Sequence, residues 1–72
     1  MALSPEEMTT TRFTYHPPKG DQPERYQILR DAAKEFATQI NLLTPESRER
    51  SLALTNLEQA VMWANAAIAR RE

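Results

Sequence analysis

The 72-residue sequence has no cysteine, one histidine and one glycine. Without cysteine there is no disulfide staple and none of the commonest zinc patterns. His16 stands alone, so a histidine-based metal site has no second ligand and no cofactor is expected. So little glycine leaves no loop to cradle a nucleoside triphosphate. Charge of one sign is also missing: 9 basic residues face 10 acidic ones, a formal net charge of −1. A balance that close gives no field to draw in a DNA or RNA polymer. The apolar run from Ala60 to Ala69 is about half the length that a spanning helix needs, so no membrane partner is expected. Met1 to Thr10 has no basic start followed by an apolar run, so no signal peptide is read. The lack of cysteine fits a reducing cytosol.

Catalytic constellations are absent too. A hydrolase needs a nucleophile, a base and a group to orient the base. The one histidine is followed directly by Pro17, and Glu35, Glu49 and Glu58 sit among basic residues at helical spacing. These carboxylates read as solvated faces, with Glu46 and Arg50 as a pair one turn apart. No enzyme is expected.

What is present is helix. Ser4-Pro5-Glu6-Glu7 is a capping box with proline at the first helical position, and it predicts a short helix ending near Met8 or Thr9. Thr10 to Gly20, with threonines, aromatics and Pro17-Pro18, predicts an extended arm. Asp21 to Glu24 has capping-box spacing and opens a second helix, expected over 21–43 and about 30 Å long. Its stripe is Tyr26, Leu29, Ala33, Phe36, Ile40 and Leu43. Thr44-Pro45-Glu46 predicts a third helix over 45–71, with Thr44 as N-cap and a turn of only a residue or two. So short a connection makes the neighbours antiparallel. On the last helix Leu54, Leu57, Val61, Ala64 and Ile68 repeat the spacing. The expected fold is all-α: a single domain over 1–72, in which residues 1–20 supply a short helix and arm and the rest an antiparallel two-helix hairpin.

The last helix carries more apolar surface than one partner helix can cover. Leu52, Ala60, Met62, Trp63, Ala66, Ala67 and Ala69 lie off its stripe, and between Ala60 and Ala69 only Asn65 is polar. A helix apolar on every side is a buried helix, and a domain this small usually needs a staple. With disulfides and metals excluded, self-association remains, so a homo-oligomer is expected. Asn65 reads as a register-setting amide in that interface or as a ligand contact.

Candidate binding groups cluster at the termini of these elements. The arm presents Arg12, Phe13, Thr14, Tyr15 and His16 in succession. Extended backbone would point Phe13 and Tyr15 one way and Arg12, Thr14 and His16 the other. Guanidinium forks clamp phosphate, aromatic faces stack bases and hydroxyls meet base edges. Alternatively, the aromatics only anchor the arm. Arg70 and Arg71 complement the helix dipole or, with Arg30 and Lys34, bind phosphate. Arg30 reads equally as a solvated partner of Asp31 or Glu35.

Phe13-Thr14-Tyr15-His16-Pro17-Pro18, the run Ser51 to Glu58 and above all Met62-Trp63-Ala64-Asn65-Ala66-Ala67-Ile68-Ala69-Arg70 resemble the small phage proteins of the anti-CBASS cyclic-nucleotide sponge family. The resemblance covers nearly everything from Arg12 onward. It implies helical hairpins assembled as hexamers, which sequester cyclic oligonucleotide messengers of bacterial antiphage signalling without cleaving them. It implies cyclic dinucleotides between protomers and, in some members, cyclic trinucleotides at separate pockets, all in the cytoplasm of the infected bacterial host. By position it implies Tyr15, His16, Arg30 and Arg71 for the dinucleotide pocket, and Arg12, Phe13 and Thr14 for a second. A related hairpin family takes cyclic ADP-ribose variants. The competing reading is a protein-interaction module that captures a host helix on the face of Met62 and Trp63.

Overall fold

A computed structural model of the protein describes residues 4–72. The first three residues of the domain expected over 1–72 lie outside the described residues. Three helices follow one another, α1 (Pro5–Phe13), α2 (Gln22–Leu43) and α3 (Arg48–Arg71), with no strand among the described residues.

α1 starts as the capping box predicts: the Glu7 main-chain N–H donates to Ser4 Oγ at 3.1 Å, and Pro5 opens the helix. It does not end at Met8 or Thr9 but runs to Phe13. Threonine is tolerated here because Thr9 Oγ1 folds back and donates to the Pro5 carbonyl at 3.0 Å. The helix stops at Thr14, whose backbone is extended, and His16 Nε2–H donates to the Thr11 carbonyl at 3.0 Å. That bond satisfies a last-turn acceptor that the helix itself leaves open. The arm therefore begins at Thr14. Arg12 and Phe13 are helical, and the strand-like alternation expected for them does not hold.

Gly20, in the left-handed region at φ 57°, turns the arm into α2. Asp21 stands at the N-cap position, but the expected capping box does not form. The Asp21 carboxylate instead pairs with Arg25 at 3.3 Å. α2 ends at Leu43 as expected. Thr44 closes α2 rather than opening α3: its N–H and its hydroxyl both donate to the Ile40 carbonyl, at 3.2 and 2.6 Å. The N-cap of α3 is Ser47, whose Oγ accepts from the Arg50 N–H at 3.1 Å. The link is thus residues 44–47, longer than the turn expected from Pro45.

The hairpin is antiparallel. Arg50 Nη1, near the start of α3, reaches the Asn41 and Thr44 carbonyls at 3.3 and 3.4 Å. Gln22, at the start of α2, donates to the Ile68 carbonyl at 3.4 Å. Arg50 is thus spent on the end of α2, and the expected pair with Glu46 is not among the ion pairs of the described residues. Leu54, Leu57, Val61, Ala64 and Ile68 form the half-buried face of α3 as predicted. On α2 the facing residues are Tyr26, Leu29, Ala33, Ala37 and Ile40. Phe36 and Leu43 are 55% and 80% exposed, so the expected stripe is corrected at two positions: Ala37 takes the place of Phe36, and Leu43 drops out. Stepping from Ala33 to Ala37 keeps small side chains on the half-buried face of α2.

Among the described residues no apolar side chain is buried. Met62 and Trp63 are 61% and 68% exposed, as the apolar surplus on the last helix anticipates. Each half-buried leucine at the contact secures only part of the ~1.5–3 kcal/mol that full burial brings.

Candidate functional site

Arg12, Arg30, Arg70 and Arg71 lie toward the open end of the hairpin, where α1 and the last turns of α3 come together. One hollow of about 450 Å³ lies between α1 and α3. Met8, Thr11, Arg12 and Phe13 line it from α1, and Trp63, Arg70 and Arg71 from α3. A second, of about 350 Å³, is lined by Tyr26 and Arg30 of α2 and by Asn65, Ala66, Ala69 and Arg70 of α3. Arg70 borders both.

The first hollow combines three guanidinium groups with two aromatic faces. The ion pairs among the described residues are Arg25 with Asp21 and Arg25 with Glu72, so Arg12, Arg70 and Arg71 spend none of their charge on a carboxylate there. Phe13 is 83% exposed. Cations beside open aromatic faces suit a ligand that is both anionic and flat. In the second hollow Arg30 is held by Gln27, whose Oε1 accepts from Arg30 Nη2 at 3.2 Å, while Gln27 Nε2 donates to Asp31 at 2.7 Å. Gln27 thus stands where a direct Arg30–Asp31 pair was one reading. Asn65 Oδ1 is buried there without a hydrogen-bond partner. An acceptor left in that state asks for a donor from outside the chain's own fold.

The structure brings some of the expected site residues together and keeps others apart. Arg12, Phe13 and Arg71 share the first hollow, while Arg30 lies in the second. Tyr15 is 80% exposed and lines neither. Thr14 is the C-cap of α1. His16 is half-buried, with Nε2 committed to the Thr11 carbonyl and Nδ1 left over. Lys34 does not join the C-terminal arginines; it borders a hollow midway along the hairpin with Ala33, Ala37, Leu54, Leu57 and Glu58.

Sequence reasoning missed the polar cluster beside these hollows. Gln22, 3% exposed, is the buried residue of α2. Its Oε1 accepts from the Lys19 N–H at 3.1 Å, and its Nε2 donates to Glu72 Oε1 at 3.2 Å. The Arg25 guanidinium grips both Glu72 oxygens, one at 2.7 Å. Hydrogen bonds from Arg25 and then Gln22 hold the Glu72 carboxyl down at about 2. The same bond pushes Arg25 further up. Position 22 falls between a cap residue and Pro23, so periodicity carries no signal for it. Trp63 was legible only as apolar surplus, not as a wall beside arginines.

Among the described residues no group of histidine, cysteine, aspartate and glutamate is disposed to hold a metal ion, and no helix is long and apolar enough to cross a membrane.

The family model described as Acb2/Tad1, hairpin domain, matches residues 8–69. The matched span runs from within α1 through the arm and α2 to near the end of α3. No curated protein and no solved structure matches the chain.

Proposed function

The chain belongs to the Acb2/Tad1 hairpin family, the anti-CBASS cyclic-nucleotide sponges, and from that premise we propose that it sequesters cyclic oligonucleotide messengers without cleaving them. Cyclic dinucleotides are its first ligands, with cyclic trinucleotides at a separate pocket. The observation that carries this reading is the first hollow, where three arginines without carboxylate partners among the described residues stand beside Phe13 and Trp63. A cyclic oligonucleotide offers what such a surface takes: phosphates for the guanidinium forks and base faces for the rings.

Tyr15, His16, Arg30 and Arg71 bind the cyclic dinucleotide in this proposal, and Arg12, Phe13 and Thr14 belong to the second pocket. Within one chain Tyr15 and Arg30 do not share the hollow of Arg71. The dinucleotide pocket is therefore completed between protomers of a homo-oligomer, a hexamer by family. The unburied apolar side chains supply the reason to assemble. A near-two-fold ligand fits a two-fold interface that presents each residue twice. Residues 1–72 act as one domain, and the place of action is the cytoplasm of the infected host. Nothing in the binding step requires a catalytic group or a cofactor.

The test is a calorimetric titration with cyclic di- and trinucleotides and cyclic ADP-ribose variants, followed by mass analysis of the released ligand. Uptake and release of an intact cyclic di- or trinucleotide is expected. No heat with any of these, or recovery of linear products, refutes the proposal; binding of cyclic ADP-ribose variants alone moves it to that messenger class. Tyr15→Ala and Arg71→Ala are each expected to weaken dinucleotide binding by about tenfold or more. Full affinity in both, with assembly intact, would show that the site lies elsewhere.

One observation favours a second reading. Met62 and Trp63 are exposed on a single chain, as a module that captures a host helix would have them. A stable homo-oligomer with Trp63 fluorescence shifted to a buried environment counts against it.

A further inference from the structure

Gln22 and Glu72 are not among the groups assigned to the messenger, yet they link the segments that carry those groups. The Gln22 carboxamide faces three ways: it accepts from the Lys19 N–H, and it donates to the Ile68 carbonyl and to Glu72 Oε1. Glu72 is held by both arms of the Arg25 guanidinium, and its main-chain oxygen receives Lys19 Nζ at 2.7 Å. Arg25 is tied in turn to Asp21. One amide and one carboxylate thereby join the end of the arm, the first turn of α2 and the last turn of α3.

The position of this cluster is what gives it consequence. Arg70 and Arg71 directly precede Glu72, and Tyr15 and His16 lie a few residues before Lys19. Few hydrogen bonds fix the arm: His16 ties its first part to α1, and Lys19 ties its end to Gln22 and Glu72. A carboxamide as buried as Gln22 is costly unless its donor and acceptor are both met. Here they are met only with the arm and α3 in one particular register.

We propose that Gln22 and Glu72 are positioning residues, a clamp that holds the arm and the last turn of α3 in one register and so sets how tightly the messenger is bound. The clause about the messenger rests on the proposed function; the clamp itself does not. The two residues touch no ligand. They act by removing relative motion between Tyr15 and His16 on one side and Arg70 and Arg71 on the other, which lowers the ordering cost of binding.

The experiment compares the full chain with Gln22→Met, Glu72→Ala and the conservative Glu72→Gln. Amide hydrogen exchange is read without ligand at Tyr15, His16 and Lys19 of the arm and at Ala67 to Arg71 of α3. Affinity for a cyclic dinucleotide is read by calorimetry. In Gln22→Met and Glu72→Ala, both segments are expected to exchange about tenfold faster and affinity to fall by about as much. Glu72→Gln, which keeps a side-chain oxygen to accept from Gln22 and Arg25, is expected to retain most of the affinity lost in Glu72→Ala. Should Gln22→Met fail to fold, Glu72→Ala, altered at the exposed side of the cluster, carries the test. Loosening of one segment without the other overturns the clamp, as does wild-type affinity in Glu72→Ala. A wild-type chain that takes up no cyclic oligonucleotide sinks the proposed function instead, and the exchange data still decide the clamp.

Discussion

At the closed end of the hairpin, Thr44, Ser47 and Arg50 all spend their polar groups on backbone: Thr44 on the Ile40 carbonyl, Ser47 on the Arg50 N–H, and Arg50 on the Asn41 and Thr44 carbonyls. Leu42 and Leu43 face outward there, 77% and 80% exposed, beside the exposed Glu46, Arg48 and Glu49. At the open end, Gln22, Arg25 and Glu72 bond to one another and leave Arg12, Arg70 and Arg71 without a carboxylate partner among the described residues. One end keeps large apolar side chains exposed among charges of both signs; the other keeps guanidinium groups beside aromatic rings. The contrast separates two tasks along one hairpin, a surface suited to be covered by protein and a surface suited to receive an anion.

The largest effect is expected where apolar surface meets a second chain. Leu43→Glu at the closed end and Met62→Glu on α3 each place a carboxylate where the assembly would bury it. Each is expected to weaken self-association by about two orders of magnitude, near 3 kcal/mol, read by sedimentation at micromolar concentration. Unchanged assembly in Leu43→Glu would mean that the closed end faces solvent, and the division of tasks between the ends would fail. Loss of assembly should also abolish dinucleotide binding, because the proposed pocket spans protomers. Arg71→Ala, by contrast, should lower binding and leave assembly alone.

How much of this was legible depends on how local the cause is. The α1 capping box, the end of α2 at Leu43 and the stripe of α3 were read correctly, because each rests on residues within a turn or two of one another. The start of α3 was misplaced because Thr44-Pro45 and Ser47 both make good caps. What decided between them was the Thr44 hydroxyl's bond to Ile40, a geometry that residue types do not reveal. Phe36 is large and in phase with the stripe, yet the half-buried residue at that turn is Ala37, and Phe36 stays 55% exposed. At the site, the arginines and aromatics of the first hollow were visible as chemistry. Their partition into two hollows was not, since it depends on α1 continuing through Arg12 and Phe13. Gln22 was invisible for the same reason: its partners Ile68 and Glu72 come from the far end of the chain.

A smaller effect sharpens the comparison at the closed end. Ser47→Ala removes the side-chain acceptor for the Arg50 N–H and should cost about 1 kcal/mol. Thr44→Val keeps the shape and loses only a hydroxyl that can otherwise bond water, so it should cost about 0.5 kcal/mol. Thermal unfolding of both variants checks the order. A larger loss for Thr44→Val would return the N-cap of α3 to Thr44 and shorten the link to the turn first expected.

The smallest effect is confined to the open end and to acid. Glu72 titrates at about 2 in the folded protein against an ordinary value of 4.5. The unfolded chain therefore binds the proton more readily, and stability contributed by this group rises with pH across that interval. It is fully present above pH 4.5 and is lost as the pH falls through about 2. The groups facing the carboxylate are Lys19 of the arm and Gln22 and Arg25 of α2, with Asp21 behind Arg25; Arg70 and Arg71 precede it in sequence and line the hollows. Because Arg25 and Glu72 are partly exposed, solvent screens the pair and the effect is modest. Protection of the amides in the last turn of α3, taken against their intrinsic exchange rate at each pH, should fall between pH 4.5 and 2, and Glu72→Gln should remove that dependence. The Arg50 contacts at the closed end are with carbonyl oxygens, which take up no proton in this range. If both ends of α3 loosened together, and equally in Glu72→Gln, the acid response would belong to the hairpin as a whole, and the polar cluster would be no separate device.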